Sequence, residues 1–235
     1  SRSSAARLDP RVLRNKAAAV VILGYSLHSY ELYHMRTWLS PFLAFILVSQ
    51  GSSDQAQAAA VAATVVGTAG VLGAFSTFLG GVLSDRIGRL KAASLLFALS
   101  GACSLTIGWV AALPWGVVLG LTVVYTFAVG ADSAIYSTGV TEAATPGKLG
   151  STLAVHTFCG FTAGAVSPAL FGAILDAAGE GIGWGLGFST AGVGALVAIA
   201  AMLWLRTQPE ARVFPGERGR TAPAQPTPPL AGGRP

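Results

Sequence analysis

Six apolar stretches, each long enough to cross a lipid bilayer, dominate the sequence. About 20 apolar residues suffice for a transmembrane helix, and the stretches lie at 17–48, 57–83, 92–112, 115–140, 150–175 and 183–205. Only 11% of the 235 residues are charged, less than half the roughly 25% that is typical of soluble domains. We therefore predict an all-α membrane protein, with a bundle of six transmembrane helices over residues 17–205.

The basic residues indicate how these helices are oriented. All but Arg36 of the 15 lysines and arginines lie outside the predicted spans, and the connections at 49–56, 113–114 and 176–182 carry none. Because positively charged loops stay in the cytoplasm, we predict a cytoplasmic basic segment at 1–16 and a disordered, proline-rich cytoplasmic tail at 206–235. The same distribution argues against nucleic-acid binding, since the net charge of +5 is not gathered on one face.

A charged motif lies between the second and third spans. Residues 81–91 read GVLSDRIGRLK and contain the pattern G-x-x-x-D-R-x-G-R. This pattern resembles the cytoplasmic signature of the major facilitator superfamily of secondary transporters, which it matches at Gly81, Asp85, Arg86, Gly88 and Arg89. The resemblance implies that these five residues gate the cytoplasmic side. We expect Gly81 to let two helices approach closely and Gly88 to allow a tight reversal of the chain.

The six-helix layout matches one half of such a transporter, and the first span resembles the start of the C-terminal half in bacterial members. The resemblance implies an integral protein of the plasma membrane, the bacterial inner membrane, that moves a small-molecule solute. It also implies a second six-helix half, either an N-terminal half or another copy, against which this bundle rocks to give alternating access.

Polar and ionisable residues inside the spans mark a predicted pathway for solute or protons. Such residues are costly in a membrane and are functional candidates by default. The pathway residues are Tyr25, His28, Glu31 and Arg36 in the first span, Tyr125, Asp132 and Tyr136 in the fourth, and His156 in the fifth. We predict that the carboxylates and histidines carry coupled protons. Arg36 indicates an anionic or polar solute.

Other interpretations of these residues were weighed. The polar residues of the first span could instead form a structural hydrogen-bond network between helices. His28 and Glu31 have a spacing found at metal sites, but no further ligand follows, so we predict neither metal nor cofactor. The sequence has no nucleophile elbow or phosphate loop, so we expect no enzyme activity. A non-transporting membrane module stays open as a second class of function, although a scaffold does not need these polar residues.

Overall fold

The structure, a computed structural model, describes residues 8–51 and 54–217. Over these ranges it is helical and contains no strand, which confirms the predicted all-α class. The helices are α1 (Lys16–Ser49), α2 (Gln55–Ile87), α3 (Arg89–Ile107), α4 (Trp115–Ala131), α5 (Ser133–Ala143) and α6 (Leu149–Arg206). Short 3-10 helices precede α1 and follow α6, at Pro10–Arg14 and Pro209–Val213.

Local sequence signals set the helix ends. Asn15 caps α1, because its side-chain oxygen accepts a hydrogen bond from the Ala18 backbone N–H at 3.3 Å. Asp54 caps α2 in the same way, as is usual for short polar side chains at this position. Gly88 separates α2 from α3 with a φ of +95°, a conformation that glycine adopts without steric cost. The predicted tight reversal within the motif is therefore confirmed.

The last three predicted spans are divided differently in the structure. The fourth is interrupted at Asp132, where α4 ends and α5 begins. The fifth and sixth lie in one helical segment, α6, of 58 residues. This segment is kinked at Gly179, whose φ of 71° and ψ of 169° are not helical. The loop predicted near residues 176–182 is therefore reduced to a single glycine.

Four helical stretches are long and apolar enough to cross a membrane: Gln55–Ile87, Arg89–Ile107, Trp115–Ala143 and Leu149–Arg206. The first helix, α1, is 34 residues long but is not among them. Histidine, serine, glutamate and arginine interrupt its apolar sequence. Length and apolarity therefore identify fewer membrane-crossing stretches than the six that the sequence predicts.

The helices enclose two buried apolar clusters. α6 packs along both α1 and α3, and α2 packs along α4. One cluster, at the beginning of α1, includes Val20, Leu90, Tyr136 and Met202. The other, at the end of α1, includes Leu39, Phe42, Phe171 and Phe188. Between them, α1 buries the polar residues His28, Ser29, Glu31 and His34. We call this middle zone of α1 the polar layer.

Residues 207–217, which follow α6, are folded against the bundle. Pro209–Val213 forms a 3-10 helix, the side chain of Phe214 is fully buried, and Glu217 is only 2% exposed. The prediction of a disordered tail from residue 206 is therefore wrong for residues 206–217, because apolar contacts hold this segment on the bundle. The rest of the predicted tail, 218–235, and the first seven residues of the predicted basic segment lie outside the described residues.

Ion pairs connect three of the segments that are predicted to be cytoplasmic. Lys16 lies 3.0 Å from Glu210, and Lys148 lies 3.0 Å from Asp9. The hydrogen bond from Lys16 lowers the pKa of Glu210, and the hydrogen bond from Lys148 lowers the pKa of Asp9. Both carboxylates are charged at neutral pH, so these contacts weaken as the pH falls through the lowered pKa values.

Candidate functional site

A cleft of about 280 Å³ lies between α1, α2 and the adjoining helices α4 and α5. Its wall is built largely from glycine, alanine and valine, into which a few polar side chains are set. The polar lining residues are His28, Arg36, Thr77, Thr126 and Ser133. Among the described residues, no carboxylate lines this cleft, so its formal charge is positive.

Arg36 supplies that charge. It lies on the exposed face of α1, and none of the ion pairs or hydrogen bonds in the described part of the chain involves it. Thr126 also lines the cleft, but its hydroxyl oxygen is buried and has no hydrogen-bond partner within the described part of the chain. The cleft therefore offers one cationic group, the guanidinium of Arg36, with which a bound anion can pair.

His28 connects the cleft to the interior of the bundle. Its Nδ1 lies 2.7 Å from Oδ1 of Asp132, and each side chain is only 2% exposed. Asp132 sits at the junction where α4 gives way to α5, so the pair joins the middle of α1 to this break in the fourth predicted span. The two atoms lie within ion-pair distance, and neither makes a hydrogen bond within the described part of the chain. His28 thus has one face toward the cleft and one toward a buried carboxylate.

Glu31 is held on a different side of α1. The Ser100 hydroxyl of α3 donates a hydrogen bond to its Oε2 at 2.9 Å. The Tyr125 hydroxyl donates to Ser104 at 3.2 Å, and Ser104 in turn donates to the Phe188 carbonyl at 2.7 Å. Sequence reasoning missed both serines. The available signal was their spacing of four residues, which places them on one face of an otherwise apolar helix.

The remaining pathway residues form an aromatic group behind the cleft. Tyr25 stacks on His156 of α6, with ring centroids 3.8 Å apart and an angle of 16° between the planes. His28 and Tyr136 lie with centroids 5.6 Å apart. The close approach of Tyr25 depends on Gly160, since a β-carbon added there would overlap the tyrosine ring. The glycine-rich face of α6 is therefore a packing surface for α1.

The eight predicted pathway residues thus separate into two sets. Arg36 and His28 line the cleft. The other six lie behind it in the bundle and do not line the cleft: Tyr25, Glu31, Tyr125, Asp132, Tyr136 and His156. His28 connects the two sets, because it lines the cleft and contacts Asp132.

The charged motif between α2 and α3 is organised around Arg89. Its guanidinium donates to Oδ1 of Asp85 at 2.5 Å and to the Ser84 hydroxyl at 2.8 Å. The same group donates to both carboxylate oxygens of Glu142 on α5, at 3.2 and 3.3 Å. Two parallel bonds from arginine to a carboxylate fix geometry as well as charge. Sequence reasoning missed Glu142, which is a half-buried partner of Arg89. Arg86, which the motif predicted as a site residue, is exposed.

The close helix approach predicted at Gly81 occurs instead at Gly80. A β-carbon added at Gly81 would lie 4.0 Å from that of Ala134, which is ordinary contact. One added at Gly80 would collide with the backbone carbonyl of Ala131. The prediction for Gly81 is therefore wrong, because the helix turns the preceding residue toward α4.

The sequence of this chain matches a known protein family. A family model described as Major Facilitator Superfamily matches residues 19–233, a range that includes almost all of α1 and every later helix. The comparison with curated proteins found no match.

Proposed function

This chain belongs to the Major Facilitator Superfamily, and we propose that it forms one half of a secondary transporter for a small polar or anionic solute. Members of this family are membrane transporters of small molecules. The long apolar helices of this chain make it an integral membrane protein. The proposed mechanism is alternating access, in which this bundle rocks against a second six-helix half around a site near the middle of the membrane.

The proposed topology has six membrane crossings with both ends in the cytoplasm. The crossings are α1, α2, α3, the α4–α5 stretch, and the two arms of α6 on either side of Gly179. Support comes from the positions of the basic residues and from the ion pairs that bring Asp9, Lys16, Lys148 and Glu210 to one end of the bundle. The motif around Arg89 then gates the cytoplasmic side.

The unpaired Arg36 carries the proposal of an anionic solute. An arginine within a membrane span is retained where it faces a partner, a substrate or water. Arg36 lines the cleft, where no carboxylate of the described residues neutralises it. A carboxylate or similar anion can accept two parallel hydrogen bonds from a guanidinium.

We propose proton coupling through the buried groups behind the cleft. His28 contacts Asp132, and Glu31 lies one helical turn further along α1. Histidine and carboxylates exchange protons as their surroundings change. Since His28 also lines the cleft, a change in the protonation of this group would alter the electrostatic field that the solute meets.

The test is a binding screen on the purified full chain in detergent. Thermal unfolding is measured with a panel of small monocarboxylates, dicarboxylates, amino acids and neutral sugars, each at one fixed concentration. A ligand at ten times its Kd stabilises the folded protein by about 1.4 kcal/mol. We expect stabilisation by one class of anion, loss of that effect in Arg36→Ala, and partial retention in Arg36→Lys.

The matched control is Arg86→Ala, which removes an exposed arginine outside the cleft. This variant should keep the full response to the anion. Equal responses of Arg36→Ala and the unaltered protein would contradict the assignment of Arg36. An anion that binds but is not taken up by proteoliposomes containing both halves would favour a non-transporting module.

A further inference from the structure

The segment that follows α6, residues 207–217, has no role in the proposed solute pathway, yet it packs directly on the motif loop. We call it the strap. Its side chain Phe214 is fully buried and belongs to the same apolar cluster as Leu90 of α3, Tyr136 of α5 and Met202 of α6. The ring also lies within van der Waals distance of the position that a β-carbon at Gly139 would take. Phe214 therefore anchors the strap in the bundle.

Beyond Phe214 the strap meets the motif loop backbone to backbone. Gly216 has a φ of +85° and Gly88 a φ of +95°. A β-carbon added to Gly216 would lie 2.9 Å from the Cα of Gly88, closer than real β-carbon contacts. A β-carbon added to Gly88 would lie 3.4 Å from the Pro215 carbonyl oxygen. A β-carbon at Gly88 would make only ordinary contact with the strap, whereas one at Gly216 would collide, so the close approach depends on Gly216.

Ion pairs hold the strap at both ends. Glu210 contacts Lys16 at the start of α1 at 3.0 Å. Glu217 lies 3.3 Å from the Nε of Arg206, and its side chain is only 1% exposed. A buried carboxylate needs such a partner, because desolvation alone would strongly disfavour its charge. The strap is consequently fixed to α1 and α6 while it covers the beginning of α3.

We propose that the strap is a positioning element for the cytoplasmic motif, with Phe214 as its anchor and Gly216 as its contact with the motif loop. Arg89 ties the start of α3 to α5 through Glu142. The strap ties the same region to the end of α6. The loop is held from two sides, so it can shift relative to α6 only when Phe214 leaves its site.

The experiment measures the exposure of the motif loop directly and does not depend on knowing the solute. Ser84, 1% exposed beside Arg89, is replaced by cysteine in the full chain after Cys159→Ser. A membrane-impermeant maleimide is added to inside-out vesicles, and alkylation is followed at position 84. Native Cys103, which is 5% exposed in the interior and lies near the far end of α3, is followed in parallel with a membrane-permeant maleimide and reports any general loosening of the bundle.

We expect Phe214→Ala and truncation after Arg206 to raise the alkylation rate at position 84 by at least tenfold. The rate at Cys103 should stay within twofold. Phe214→Leu, which keeps an apolar anchor, should retain most of the protection of position 84. Gly216→Val should abolish this protection even though Phe214 is intact. Truncation after Glu217 is the matched control and should leave both rates unchanged within twofold.

Two results would overturn the proposal. If the cysteine at position 84 and Cys103 both stay unreactive in Phe214→Ala, the strap does not position the motif loop. If both sites become reactive together, the strap contributes only to the general stability of the bundle. Failure of the anion screen would leave this result unaffected, because neither rate involves solute.

Discussion

Replacing Glu142 by glutamine should destabilise the protein more than replacing Asp85, the acidic residue of the motif itself. Glu142 accepts two hydrogen bonds from Arg89, and the two side chains are 21% and 12% exposed respectively. Hydrogen bonds that involve a charged group contribute about 1.5–3 kcal/mol. The amide of Glu142→Gln keeps one acceptor and brings an NH2 group against the guanidinium. We therefore expect a loss of about 2 kcal/mol.

The comparison with Asp85 makes this prediction specific. Asp85 lies closer to Arg89 than Glu142 does, but its side chain is 69% exposed. Exposed ion pairs of this kind contribute about 0.2–1 kcal/mol, because water and salt screen them. Asp85→Asn should consequently cost less than half as much as Glu142→Gln, although Asp85 belongs to the recognisable motif.

Thermal unfolding of the purified chain in detergent provides the measurement. For a chain of 150–250 residues, each kcal/mol corresponds to about 2–4 °C in Tm, so Glu142→Gln should lower the Tm by about 4–8 °C. Arg86→Gln is the control, since Arg86 is exposed and the described ion pairs do not include it. A larger decrease for Asp85→Asn than for Glu142→Gln would refute the reasoning from burial.

Three further predictions concern topology, packing and coupling. Cysteine at Gln55 should react with an impermeant reagent added outside cells, and cysteine at Arg86 only from inside; the reverse pattern would disprove the orientation. Gly80→Ala should cost about 1–3 kcal/mol by overpacking, measured as a fall in Tm, whereas the control Gly81→Ala should be nearly neutral. Glu31→Gln should abolish accumulation driven by a pH gradient in proteoliposomes and spare downhill exchange of the anion that the screen identifies. Unchanged accumulation would make Glu31 structural.

The features that are local in sequence were the predictable ones. Apolar stretches of sufficient length predict helices because a span must satisfy its own backbone. The positive φ at Gly88 follows from a glycine placed between two helical patterns. The polar residues of α1 were recognisable as candidates because an ionisable side chain within a membrane span costs free energy. The structure buries two of them, His28 and Glu31, in the polar layer.

The partners of these residues could not be read from the sequence. Ser100 and Glu142 are 69 and 53 positions away from the residues that they contact, and a serine or a loop-proximal glutamate gives no signal by itself. The choice between Gly80 and Gly81 depends on helix rotation, which a single glycine pair does not determine. The strap was read as disordered because its prolines and lack of periodicity conceal one buried phenylalanine, Phe214.

The polar layer also has a consequence for how the protein is made. α1 is synthesised before the groups that contact its polar layer, since Ser100 lies on α3 and Asp132 precedes α5. Each charge near the centre of a helix costs about 2.5–3.5 kcal/mol on insertion, and α1 carries both Glu31 and Arg36. On leaving the ribosome, α1 therefore has little tendency to enter lipid by itself. We therefore expect the stable insertion of α1 to wait for the later helices that it contacts, so that α1 is the last of these helices to settle in the membrane.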